Sequence, residues 1–320
     1  MASQIQRVDV HHHVLPDFYK DVQRAAGIMG SAYQAFPEWS VDKSLALMDS
    51  LRIGTSIVSF TSPGIFYGDI AQTRELARRF NDFLAETVSA RPDRFGAFAF
   101  LPLPDVEASI AEIGRIYDEL HLDGICLLTS VDERYIGHPD FWPVYEELNR
   151  RKAVVFIHPC YPPGTEARGW DIPRMLIDYP FETTRVATNL IFNGVMEKLP
   201  DIRFILSHAG GTLPMLAHRI SLFDKKTKQQ GNYPKGALHY ISKFFYDTAL
   251  SGHPAPLNAL TAFVPPSQIL FGTDYPYVSE DIAASETSGF DAYSGFDNEQ
   301  RLSVERGAAE LLFPRLKKLA

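Results

Sequence analysis

Eight short runs of apolar and β-branched residues, separated by stretches with helical spacing, dominate this sequence. They cover 7–12, 55–62, 95–103, 124–130, 153–159, 203–209, 244–250 and 269–274. Most are near-continuous apolar runs without polar alternation, the pattern of strands buried on both faces. Between them, 69–90 carries Leu76, Phe80, Phe83, Leu84 and Val88 on one helical face, and Ile110, Ile113, Ile116, Tyr117 and Leu120 repeat the spacing. Further helices are expected around Val144 and Leu148, over 181–199 and over 299–313. Such alternation predicts parallel strands joined by right-handed crossovers, hence an α/β fold. Eight strands close most simply into a (β/α)8 TIM-like barrel, and residues 1–320 read as one such domain with loop insertions. Two segments, 13–40 and 224–242, break the short-loop rhythm and are expected to be lids, pocket walls or subunit contacts.

Several of these runs close on side chains that carry chemistry. The first ends in His11, His12 and His13, and the fifth in His158. The sixth ends in Ser207-His208-Ala209-Gly210-Gly211, the seventh at Asp247 and the eighth in Gly272-Thr273-Asp274-Tyr275-Pro276. In a closed barrel the C-terminal strand ends converge on one mouth, where active sites lie. His11 and His13, two apart on a strand, point to one face and can share a divalent metal, whereas His12 points the other way as a structural hydrogen-bonder. Asp274 can bind metal with one oxygen and handle a proton with the other. The glycines after His208 permit a sharp exit and close approach of backbone to ligand. Asp247 can orient His208 or another ligand by a hydrogen bond, or else merely cap its strand. Barrels of this architecture that hold two ions bridge them with a strand-four lysine or carboxylate. The run 124–129 offers neither, so one divalent ion per chain is expected.

Composition narrows the partners. A net charge of −8 argues against nucleic acid, and it leaves any anionic substrate to be held by a metal or a placed arginine. Two cysteines, Cys126 and Cys160, make no disulfide framework and suggest a reducing compartment. No apolar leader and no run of about 18 apolar residues is present, so no membrane association and a cytoplasmic location are expected.

With these residues in place, the chain resembles the decarboxylase branch of the amidohydrolase superfamily, which includes aminocarboxymuconate-semialdehyde decarboxylases and the fungal 6-methylsalicylate decarboxylases. The likeness runs almost end to end. It rests on Asp9-Val10-His11-His12-His13-Val14-Leu15-Pro16, on Phe181-Glu182-Thr183-Thr184 with Gly194-Val195-Met196-Glu197-Lys198-Leu199-Pro200, on Ser207-His208-Ala209-Gly210-Gly211, on Arg219-Ile220 and on Leu270-Phe271-Gly272-Thr273-Asp274-Tyr275-Pro276. The resemblance implies one divalent ion held by His11, His13, His158 and Asp274, with zinc preferred over manganese. It implies that Asp274 and His208 manage the proton, and that Arg219 grips a substrate carboxylate. Ser62, Phe36, Trp39 and Phe66 are expected around the substrate, a small aromatic carboxylate, and a homodimer is expected. The segment 33–38 lacks a second arginine that the semialdehyde enzymes carry, which favours an aromatic monocarboxylate. The expected reaction is 6-methylsalicylate to m-cresol. Other salicylates, the semialdehyde, and lactone or amide hydrolysis with the same metal remain alternatives, as does a catalytically inactive binding barrel.

Overall fold

The structure is a computed structural model that describes residues 7–31, 34–161, 173–226 and 228–319. Of the stretches quoted above, residues 1–6, 32–33, 162–172, 227 and 320 lie outside it. The eight strands are β1 (Arg7–His13), β2 (Ile53–Ser59), β3 (Phe95–Phe100), β4 (Gly124–Leu128), β5 (Val154–His158), β6 (Arg203–Leu206), β7 (Phe245–Asp247) and β8 (Ile269–Leu270). They pair in parallel, each with its successor in the chain. Past β8, hydrogen bonds from Val10 N to Phe271 O (2.9 Å), His13 N to Tyr275 O (2.6 Å) and Asp274 N to His11 O (2.7 Å) tie the chain back to β1. The result is a nearly closed barrel with helices between its strands, as the alternation predicts.

Most ladders stop earlier than the apolar runs suggest, and β6 and β8 share one reason. His208, Ala209 and Asp274 adopt φ values of 54°, 56° and 63°, which turn the chain out of the sheet just past β6 and β8. Inside the barrel a column of rings supports the mouth: His11 rests on Phe156 (4.9 Å between centroids), Phe156 on Phe98 (5.3 Å) and Phe98 on Phe313 (5.8 Å).

The longer helices are α1 (Asp17–Ala25), α2 (Val41–Ser50), α3 (Ile70–Ala90), α4 (Val106–Asp118), α5 (Trp142–Arg150), α6 (Asp178–Phe192), α7 (Leu213–Ser221), α8 (Pro254–Thr261) and α9 (Glu280–Ala292). Helix α3 shows how the sequence sets them. The Asp69 carboxylate accepts from Gln72 N at its start, and Thr73, Leu76, Ala77, Phe80 and Leu84 form its buried stripe. The segment 13–40, read as a long loop, contains α1, which buries Tyr19 and Gln23. The helix expected over 181–199 starts earlier, at Asp178, and breaks at Gly194, whose φ of 83° suits glycine. Among the described residues no helix is long and apolar enough to cross a membrane.

Candidate metal centre and active site

Strand alternation puts His11 and His13 on the inner face of β1, and the ends of β5 and β8 bring His158 and Asp274 to the same point. One ligand atom from each of these four buried residues lies within 4.8 Å of the others. His11 Nε2 and His13 Nε2 stand 3.1 Å apart, and Asp274 Oδ1 is 3.2 and 3.0 Å from them. Ligands at about 2.1 Å from a tetrahedral ion sit about 3.4 Å from one another, so three imidazoles and a carboxylate at these spacings fit a divalent cation. These four residues are placed so that together they can hold one ion.

The imidazoles are oriented from behind. Asp247, fully buried at the end of β7, accepts from His11 Nδ1 at 2.7 Å, which leaves Nε2 free to ligate. Its other oxygen accepts from His208 N (2.8 Å) and Ala249 N (3.1 Å). His158 Nδ1 lies 2.8 Å from the Pro159 carbonyl, a pure acceptor, so the proton belongs on Nδ1 and Nε2 is again the ligating atom. His13 Nδ1 is 3.2 Å from Ser59 Oγ. His12 faces away, between Asp9 (3.1 Å) and Ser44 (3.0 Å). Asp9 does more than the sequence discloses. Its buried carboxylate accepts from His11 N (3.0 Å), Thr273 N (3.1 Å) and Thr273 Oγ1 (2.7 Å), which pins β1 to the chain leaving β8. At that seam Gly272 is required, since a Cβ there would lie 2.9 Å from His11 Cβ.

Charge is divided sharply within the cluster. Burial pushes the His158 imidazole well below its usual value, helped by His13 and His11, and it also lowers His13. Burial opposes the proton on His11 as well, but Asp247 and Asp274 outweigh it and raise this histidine to about 10. Burial would raise Asp274, yet His11, His13 and His208 hold it well below the ordinary carboxylate range. The site is thus an ionised carboxylate facing two neutral imidazoles.

His208 completes the floor. Its Nε2 is 3.2 Å from Asp274 Oδ2, and its Nδ1 is buried with no hydrogen-bond partner among the described residues. His208, Asp274 and Leu250 (φ 50°) all border the cavity in left-handed backbone, a conformation costing about 1–3 kcal/mol each for residues of this kind. Above them opens a cavity of about 400 Å3, walled by Thr61, Tyr179, Leu176, Leu250, Ser251 and Tyr277. The Tyr277 hydroxyl is buried without a hydrogen-bond partner among the described residues. Burial, with Asp274 and Tyr67 nearby, raises its pKa and keeps the phenol protonated.

The residues expected on the substrate are distributed differently. Trp39 turns its indole N–H to Ser44 Oγ (2.9 Å), the hydroxyl that serves His12, and its ring packs on Phe83. Phe36 lies under the Arg24 guanidinium. Neither lines the cavity. Arg219, exposed on α7, borders an outer groove with Arg185, Leu216 and Phe223 that shares no lining residue with the metal cavity. Ser62 and Phe66 line a neighbouring cavity instead. Tyr179 and Tyr277 are the wall residues that the motif reading passed over. Tyr277 had a signal, standing three residues beyond Asp274 on the same turn.

The amidohydrolase family profile matches residues 8–315. The chain is 36% identical over 317 residues to the 6-methylsalicylic acid decarboxylase of Penicillium expansum, covering 97% of each. It is 32% identical over 258 residues to the gamma-resorcylate decarboxylase of Polaromonas sp. strain JS666, covering 76% of this chain and 79% of that one. A solved dihydroxybenzoic acid decarboxylase from the same Polaromonas strain, with bound manganese and the inhibitor 2-nitroresorcinol, superposes with a TM-score of 0.80 at 26% identity over 97% of both chains. With a match that runs from β1 to the last turns of the chain, this protein belongs to the amidohydrolase family, among its metal-dependent decarboxylases, which are carboxy-lyases.

Proposed function

We propose that the chain removes CO2 from an ortho-hydroxylated aromatic monocarboxylate, with 6-methylsalicylate to m-cresol as the favoured reaction. The observation that carries this reading is the His208–Asp274 pair, a proton-sharing couple on the floor of a cavity walled by Tyr179 and Tyr277 and bordering the metal ligands. Such a reaction needs one proton added to the ring carbon bearing the carboxylate. The carbon–carbon bond then breaks, its electron pair returns to the ring and CO2 leaves, so no oxidant or organic cofactor is consumed.

When bound to His11, His13, His158 and Asp274, a single divalent ion would supply positive charge and Lewis acidity toward an anionic substrate. Zinc is our assignment from the three imidazoles, with manganese as the alternative carried by the solved relative. The chain's own residues do the rest. Asp274 is held ionised, so its Oδ2 is the acceptor of the pair and the transferable proton rests on His208 Nε2. The Tyr277 hydroxyl, protonated and without a hydrogen-bond partner among the described residues, is positioned to donate to a substrate oxygen. Tyr179 and Leu250 present apolar surface to a flat ring and exclude water.

Arg219 enters this reading only through a second copy of the chain. Phe181, Met215, Leu222 and Phe223 are exposed apolar side chains on the same side as Arg219, and we propose that they form a homodimer face that carries Arg219 toward the partner's cavity.

A panel of acids given to metal-loaded protein tests the assignment. 6-Methylsalicylate should yield CO2 and m-cresol, while benzoate, which lacks the ortho hydroxyl that enriches the ring in electrons, should bind without turning over. Turnover of the muconate semialdehyde, or of a lactone, with none of any salicylate would overturn it. Tyr277→Phe should cost about 10–100-fold in kcat/KM for the preferred acid, the worth of a hydrogen bond to a charged group.

A further inference from the structure

A second cavity, of about 250 Å3, opens at the C-terminal strand ends between β2 and β5. Its walls are apolar, drawn from Ile65, Phe66, Leu101, Leu103, Leu128 and Ile136. Three hydroxyl-bearing residues, Ser62, Ser130 and Tyr161, are set among them. It shares no lining residue with the metal cavity, which Tyr179 borders. One face of that ring looks onto the metal cavity and His158, with ring centroids 6.2 Å apart. Tyr179 also packs 5.5 Å from Tyr161, which lines the second cavity.

Charge at the second cavity differs from that at the first. No lysine, arginine or histidine is among its described lining residues, and its rim carries Asp132 and Glu133, at the turn between the paired strands Ser130–Val131 and Arg134–Tyr135. The nearby Arg134 guanidinium is committed to Asp132 (2.6 Å) and Asp140 (2.8 Å). The hairpin and its neighbour therefore set three carboxylates against one guanidinium. A carboxylate-bearing ring approaching this rim is repelled, and it finds no cation inside. A ring bearing only a hydroxyl meets apolar walls and hydroxyl-bearing neighbours.

We propose that this second cavity binds a small uncharged phenol, the chemical class released when CO2 leaves the acid, separately from the metal site. The choice of a phenol rests on the function proposed above. The existence of a neutral-ring site beside the metal cavity rests on shape and charge alone. The cavity is not needed as an annex for the substrate, because the metal cavity already falls within the volume range of a complete small-molecule site.

Calorimetric titration of m-cresol into metal-loaded protein tests this, with and without saturating benzoate. We expect one m-cresol per chain to bind with benzoate present, its affinity altered by less than about threefold. 3-Methylbenzoate should bind there at least about tenfold more weakly at low ionic strength, with the gap narrowing as salt screens the rim. Leu128→Trp should fill the cavity. Val131→Trp, at a half-buried hairpin position, should block its mouth. Each should weaken m-cresol at least about tenfold while metal content stays at the wild-type level. Loss of all m-cresol binding under benzoate, or wild-type affinity in both tryptophan variants, would overturn the proposal. If m-cresol binds as expected but no salicylate is turned over, the second site stands and the assigned reaction falls. If salicylates are decarboxylated and m-cresol only competes with benzoate, this inference falls alone.

Discussion

His11 is the residue on which the metal centre turns, because it is held by two carboxylates at once. Asp247 grips Nδ1 at 2.7 Å, while Asp274 lies 3.2 Å from Nε2. Asp247→Asn keeps a similar shape but removes the charge that orients this ring, and metal affinity measured by chelator competition should fall about 10–100-fold. Without an ion, His11 titrates at about 10, whereas His13 and His158 lie below the ordinary histidine value. An incoming cation must therefore displace one proton at neutral pH, and it is His11 that loses it. The raised value fixes the sign: between about pH 7 and 9 metal affinity should rise about tenfold per unit and flatten above the His11 value. Potentiometry should record about one proton released per ion at pH 7. His158→Ala should abolish tight metal binding and turnover together, and two tightly bound ions per wild-type chain would contradict the single-ion assignment.

At the scale of elements, the seam between β1 and the end of β8 sets how closely the ligands approach. Gly272→Ala would place a methyl 2.9 Å from His11 Cβ, and the strand must shift to relieve it. We expect a loss of metal affinity of about tenfold or more with a smaller loss of stability, read by chelator competition and by urea denaturation on the same sample. The eight strands and the polar groups that close them were legible because apolar runs report burial locally and strand alternation fixes which histidines share a face. The helix in 13–40 was harder to see. It starts after Pro16 without a side-chain cap and runs for only nine residues, so the local signals that mark a helix start are missing. Placing Phe36 and Trp39 at the substrate failed for a different reason. Sequence proximity to the mouth says nothing of where a loop side chain turns, and the indole N–H of Trp39 was already committed to Ser44. Tyr179 reaches the cavity only because α6 starts there, against a turn in which Gly211 leaves no space for a side chain beside the Pro180 carbonyl.

On the scale of the whole molecule, the metal cavity contains no lysine or arginine among its described lining residues, while Arg219 stands on an outer face beside exposed Phe223 and Leu222. If that face is the dimer contact, light scattering should give twice the chain mass at micromolar concentration. Arg219→Lys should then lower kcat/KM, because an ammonium cannot reproduce the planar fork of a guanidinium. A monomer with unchanged kinetics in that variant would return Arg219 to the surface. The order of the ligands along the chain carries one more implication. His13 and Asp274, 261 residues apart in sequence, meet at 3.0 Å. During synthesis the imidazoles of β1 and β5 emerge long before the carboxylate that completes the set, so a nascent chain can hold the ion only loosely until its final strand is made. The cation then acts as a clasp on a finished ring, adding about 2.7 kcal/mol at a free concentration a hundredfold above its Kd. Melting temperature should climb with free metal in the full chain, and a chain halted before β8 should show no such response.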